Sequence, residues 1–201
     1  MIQTIAAGQY DQLTRFDHPW PFYIVDNFLD PVSLKDLIYL SKQNNLTFVD
    51  CWDNKAILSV EDKTLPAKRS LLLNQFNNLS NSIKKSIDNH LSNILPAKHF
   101  YIPDLIVCDP GYKYGPHKDH PDKKITIVVF VHPTMSDATI LRHGGNSYNL
   151  KWRVNRALIF KQEEHGIHHY INNTQYPRVT LNVYITTDSP IPFQVSNFTP
   201  A

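Results

Sequence analysis

The order of residues predicts an α+β fold: helices first, then a β-sandwich or barrel core with those helices packed on one face. Helical apolar spacing is confined to the chain before Pro96. After Pro96, short β-branched and aromatic runs alternate with turn signals. At 201 residues and 42% hydrophobic, the chain is long enough to bury a sizeable core, and we expect one domain over residues 1–201. Its entry region covers about 20–96 and its β core about 100–190.

Pro21 to Leu29 is apolar and β-branched after a proline, which predicts a strand. Asp30-Pro31 then starts a helix over about 32–44: Asp30 can accept from exposed N–H groups, and Pro31 sits where no N–H is missed. Residues 46–62, including Trp52, read as a strand or hairpin of open boundaries. From Leu72 to Leu91, the positions 72, 76, 79, 83, 87 and 91 form one stripe of a long amphipathic helix between Pro66 and Leu95. Tyr101 to Cys108 reads as a strand, and Asp109-Pro110-Gly111 as a turn leading into a loop over 112–116. Lys124 to Val131 is an apolar run expected to be buried on both faces. Residues 133–150 read as a loop with one short strand. Three further strands are expected at 154–160, 165–171 and 178–187, the last two joined as a hairpin through 172–177.

Composition excludes several classes. Twenty Lys and Arg against eighteen Asp and Glu leave a net charge of +2, with no basic cluster, which disfavours long nucleic acid and anionic membranes as partners. Two cysteines, Cys51 and Cys108, rule out a disulfide framework and a tetrathiolate zinc site. No run of eighteen apolar residues and no leader-like N-terminus appear, so a cytoplasmic protein is expected. One number is unusual: seven of the ten histidines lie between 117 and 169.

That crowding points to a metal. His117 and Asp119, two apart in an extended segment, share a side and can hold one ion together. A third ligand from the cluster His165, His168 and His169 would complete two histidines and one carboxylate. Such a set takes one face of an octahedral ion and leaves the other open, as in non-haem Fe(II) oxygenases. Arg178 and Thr180 share one face of the last strand and make a natural carboxylate clamp, since guanidinium donates two parallel hydrogen bonds and the hydroxyl a third. A carboxylate-bearing cosubstrate beside the open metal face follows.

The order His117-x-Asp119, Asn155 to Phe160, Glu164 to His168, then Arg178-x-Thr180 resembles the 2-oxoglutarate- and Fe(II)-dependent dioxygenases, in their prolyl-hydroxylase-like branch. The entry segment Pro21 to Leu29 is also similar to theirs, so the resemblance spans most of 20–187. It implies a double-stranded β-helix (jelly-roll) core, with His117, Asp119 and His168 as catalytic iron ligands. His168 is preferred because it stands ten residues before Arg178, the usual separation. Arg178, helped by Thr180, would hold the distal carboxylate of 2-oxoglutarate. The implied reaction consumes O2 and 2-oxoglutarate, releases succinate and CO2, and hydroxylates a substrate that is a protein side chain or a small molecule. The resemblance also implies a tyrosine on 2-oxoglutarate, for which Tyr101, Tyr112 and Tyr114 are the candidates. The competing reading is a cupin-like metal-containing binding module without oxygenase activity, or a metal-dependent isomerase or hydrolase on the same scaffold.

Overall fold

In a computed structural model, residues 13–43, 49–50, 68–73, 76–162 and 166–187 are described. The chain enters through strands β1 (Thr14–Phe16) and β2 (Phe22–Val25), helix α1 (Pro31–Leu40), strands β3 (Val49–Asp50) and β4 (Lys68–Leu72), and helix α2 (Asn77–Leu91). Eight strands follow: β5 (Phe100–Cys108), β6 (Lys113–His117), β7 (Ile125–His132), β8 (Thr139–His143), β9 (Asn146–Leu150), β10 (Ala157–Lys161), β11 (Ile167–Ile171) and β12 (Arg178–Thr186).

They form two antiparallel sheets, an eight-stranded one in the order β1-β2-β10-β7-β12-β5-β4-β3 and a four-stranded one in the order β6-β11-β8-β9. From β5 onward the chain crosses between the sheets at each connection except the β8–β9 hairpin. First therefore pairs with last: β5 with β12, β6 with β11, β7 with β10, β8 with β9. This nesting is a jelly roll, the expected double-stranded β-helix, and it closes most strand edges within the domain.

Period-two alternation on β12 sorts the two faces of the large sheet. Val179, Leu181, Val183 and Ile185 join the core beneath the helices, with Leu37 of α1 and Leu79, Ile83, Ile87 and Leu91 of α2. Arg178 and Thr180, offset by one residue, look the other way, into the space between the sheets. Helix α2 depends on this packing. Asn, Ser and Asp fill about half its positions and no side chain caps its N-terminus, a propensity cost of roughly 4 kcal/mol. Burying its four apolar residues offers about 6–12 kcal/mol, so burial decides.

Four expectations are corrected. The long helix over 66–95 is strand β4 followed by a helix half as long, because Leu71 enters the sheet while Leu72 turns to solvent. Residues 112–116 are mostly strand β6 rather than loop. Residues 133–150 hold a two-strand hairpin, turned by Gly144 and Gly145, both with positive φ (51° and 85°), the conformation a tight two-residue turn requires. Finally, β11 and β12 are not a hairpin. They lie in different sheets, and 172–177 is a crossover. Helix α1 is as expected but ends at Leu40. Trp52, Cys51 and most of the 46–62 patch lie outside the described residues.

Asp30 caps α1 and ties it to α2. Its carboxylate accepts from the N–H groups of Val32 and Ser33 at 2.9 and 3.0 Å, and from the hydroxyls of Ser33 and Ser82 at 2.6 and 2.7 Å. Partial burial pushes the carboxyl up, but these bonds outweigh it and hold it at about 2, against 3.8 ordinarily. A depressed carboxyl stabilises the fold above its unfolded value and loses that contribution as pH falls through the folded one. Asp30→Ala should therefore cost about 1–2 kcal/mol at neutral pH and flatten the fall in stability between about pH 4 and 2, read by urea unfolding across that range.

Candidate metal and carboxylate site

The small sheet brings together the residues that the sequence places fifty apart. His117 ends β6, and its cross-strand partner on β11 is His168, with ring centroids 4.2 Å apart. The register slips between His168 and Tyr170, so β6 carries an extra residue near Pro116, which has no N–H for the ladder. That irregularity re-aims the strand end and leads directly into Asp119. The ligand atoms of His117, Asp119 and His168 lie within 4.8 Å of one another.

His117 and Asp119 are each oriented by a neighbour. His117 Nδ1 lies 2.9 Å from the carbonyl of Gly115, which can only accept, so Nδ1 carries a proton, and Nε2 stands 3.9 Å from Asp119. Asp119 accepts from the Thr126 hydroxyl at 2.5 Å, and Lys123 Nζ stands 3.6 Å away. Burial pushes the Asp119 carboxyl up, but Lys123, His168, the Thr126 bond and His117 together bring it below its ordinary value. His168 is buried and its pKa is held down to about 3, chiefly by that burial. Burial thus favours the neutral imidazole of His168 and the surrounding groups favour the ionised carboxylate of Asp119, the protonation states a divalent metal needs. The Nδ1 of His168 is buried without a hydrogen-bond partner among the described residues. A hard-to-intermediate donor set of two nitrogens and one oxygen fits iron better than a thiophilic metal.

Arg178 lies deeper between the sheets and is 1% exposed. Its Nη1 donates to the Asp137 carbonyl at 2.7 Å and its Nη2 to the Thr139 hydroxyl at 2.7 Å. Three rings surround the guanidinium carbon: Tyr170 at 4.1 Å, Trp152 at 4.5 Å and Phe130 at 5.4 Å. Burial lowers its pKa to about 10, so it remains a cation at neutral pH. Among the described residues no carboxylate lies within ion-pair distance, and its Nε has no hydrogen-bond partner. A buried cation of this kind calls for an anionic guest. Thr180, two residues along β12, is buried on the same face.

Of the three tyrosine candidates, Tyr101 is on the far face of the large sheet, donating to Asp88 at 2.5 Å. Tyr112 and Tyr114 do face the site, Tyr114 with its ring 4.0 Å from that of His117. The tyrosine that packs on the arginine is Tyr170, which the sequence reading missed. Its hydroxyl is 2.9 Å from Cys108 Sγ, and burial above all raises its pKa well above the ordinary value, keeping it a phenol. Alternation from His168 to Tyr170 was the available signal. His169 points to the other side of β11. His165 lies outside the described residues, and His120 is exposed. An open depression of about 590 Å³ between α2 and β5 shares no residue with the site.

No protein-family model matches the chain, and no curated protein matches it in sequence. Solved structures do match its fold. An oxidoreductase of the 2OG-Fe(II) oxygenase family from Burkholderia pseudomallei superposes with TM-score 0.60 at 11% identity, covering 83% of this chain and 84% of that one. A prolyl hydroxylase from Trichoplax adhaerens, in complex with a hypoxia inducible factor peptide fragment, gives 0.58 at 12% identity, covering 83% of each. The non-haem α-ketoglutarate-dependent epimerase SnoN of nogalamycin biosynthesis gives 0.57 at 10% identity, covering 82% of this chain and 78% of that one. The fold is therefore that of these oxygenases.

His168→Ala should abolish Fe(II) or Co(II) binding, and Thr126→Val should weaken it about tenfold by releasing Asp119. His169→Ala should leave it essentially unchanged. Equilibrium dialysis measures all three, and loss of metal from His169→Ala would refute this ligand set.

Proposed function

We propose that the protein is an Fe(II)- and 2-oxoglutarate-dependent dioxygenase that hydroxylates a protein side chain or small molecule, with succinate and CO2 as co-products. One observation carries this reading: a two-histidine, one-carboxylate cluster and a buried Arg178 with no carboxylate within ion-pair distance among the described residues share the same inter-sheet space. The shared fold with oxygenases supports it.

His117, Asp119 and His168 would hold the iron. Bound iron with 2-oxoglutarate supplies O2 activation coupled to oxidative decarboxylation of the cosubstrate. The chain's own residues do the rest. Arg178 takes the distal carboxylate through its guanidinium fork, and Thr180 adds a hydroxyl donor. Phe130, Trp152 and Tyr170 exclude water around that charge pair, which strengthens it. Thr126 and Lys123 keep Asp119 oriented and ionised. Gln162 fixes the backbone there by donating to the Asp119 carbonyl. A cytoplasmic location belongs to this reading, supported by the buried thiol of Cys108 and the absence, among the described residues, of a helix long and apolar enough to cross a membrane.

Anaerobic addition of Fe(II) and 2-oxoglutarate should produce the visible charge-transfer band of the chelate, and admission of O2 should yield succinate. Arg178→Met should raise the 2-oxoglutarate dissociation constant by at least about 100-fold, the consequence of leaving a buried carboxylate unpaired at ~3–5 kcal/mol. Metal binding without band or succinate would instead establish a cupin-like binding module.

A further inference from the structure

The metal triad and Arg178 leave a second set of charged groups unexplained. Along β12 the residues facing the inter-sheet space are, in order, Arg178, Thr180, Asn182 and Tyr184, so Asn182 stands roughly 13 Å from Arg178, at the level of the metal ligands. Directly across the ladder from Asn182 is Asp104 of β5, and Ser70 of β4 donates to the Asp104 carboxylate. Lys68, two residues before Ser70 and on the same face, places its ammonium 4.0 Å from the centre of the Tyr114 ring, which in turn packs on His117. On the other side, Asn182 Nδ2 donates to the Tyr184 hydroxyl at 3.3 Å. The Tyr184 ring carries Lys123 Nζ at 3.6 Å, and Lys123 stands against Asp119.

Contacts and strand register together place these groups in sequence around one space. From Asp119 they run through Lys123, Tyr184, Asn182, Asp104, Ser70, Lys68 and Tyr114 to His117. Two ammonium groups lie on opposite sides, with one carboxylate and one amide between them. Asp104 is 9% exposed, and one hydroxyl satisfies only part of a carboxylate's accepting capacity. Asn182 Oδ1 is buried with no partner among the described residues. An apolar guest would bury these acceptors unsatisfied. A polyanion or dicarboxylate would meet Asp104. A peptide-internal residue brings neither charge.

We infer that this set of groups is the substrate site and that its substrate is a free α-amino acid or a closely similar small zwitterion. Its ammonium is received by Asp104 and the Asn182 carbonyl, and its carboxylate by Lys68 and Lys123. The inference rests on the proposed oxygenase reading and deepens it from substrate unknown to a chemical class. Arg178, sealed by aromatic rings, is reserved for the cosubstrate, while Lys68, which starts level with it across β5, reaches its ammonium to the Tyr114 ring, so two carboxylates are sorted by neighbour.

The test uses the full chain loaded with Mn(II) and 2-oxoglutarate, which is inert to O2, titrated calorimetrically with each of the twenty free L-amino acids. At least one should bind, and the same one should stimulate succinate formation by the Fe(II) form. Its N-acetyl and carboxamide derivatives should bind at least about tenfold more weakly, the expected loss of one charge-assisted contact. Lys68→Met and Asp104→Asn should each weaken binding of the free amino acid by a similar factor while keeping the Fe(II)/2-oxoglutarate band. A band with no amino acid bound, or with the N-acetyl amide bound as tightly as the free form, overturns this inference alone. Loss of the band in both variants also overturns it, by making Lys68 and Asp104 supports of the metal site. Absence of the band from the wild type takes down the oxygenase reading itself.

Discussion

A guanidinium held out of water without a carboxylate is costly, and much of the inner architecture is arranged around Arg178. Its position at the start of β12 places it between the sheets, where the Asp137 carbonyl and Thr139 hydroxyl receive two of its N–H groups. Both come from the segment entering the β8–β9 hairpin, so the hairpin is bound to the large sheet through this charge. Asp137 also accepts from the Asn173 N–H at 2.6 Å, which fastens the crossover leading to β12. Phe130, Trp152 and Tyr170 come from β7, the β9–β10 connection and β11. One cation thereby pins parts of both sheets, with no carboxylate within ion-pair distance among the described residues.

The same strand serves two chemistries because alternation separates them. Val179, Leu181, Val183 and Ile185 carry the helices on one face, while Arg178, Thr180, Asn182 and Tyr184 line the other. A one-residue slip of β12 would move the whole polar set into the helix core. Extensive pairing with β5 across nine positions makes such a slip expensive. Precision at the site is thus inherited from packing on the far side of the sheet. Asn155 does similar service at the entry. With φ of 63°, it bonds both the N–H and the carbonyl of Leu29 at 2.8 Å, holding the incoming chain against the barrel.

How much of this was legible depended on distance along the chain. His117-x-Asp119 and Arg178-x-Thr180 are local pairs, and strand alternation alone puts each on one side. The Asp30-Pro31 start of α1 was equally local. The β4 strand was misread because Leu72 and Phe76 happen to continue the α2 stripe at helical spacing, although Leu72 is half exposed. Tyr170 was passed over because strand alternation from His168 gives its side but not the arginine it packs against. The set of Lys68, Asp104, Lys123 and Asn182 was invisible for the same reason, its members lying on three strands and a loop.

By itself the sequence determined the α+β class and most of the element order, and proposed residues to hold a metal and a carboxylate, because those follow from periodicity, capping and donor chemistry within a few residues. Only the tertiary structure decided that 172–177 crosses between sheets and that His168 faces His117. It alone set a buried guanidinium with no carboxylate within ion-pair distance among the described residues, and a set of opposed charges near the triad. Those facts depend on which strands pair, and strand pairing is settled by burial summed over the whole barrel.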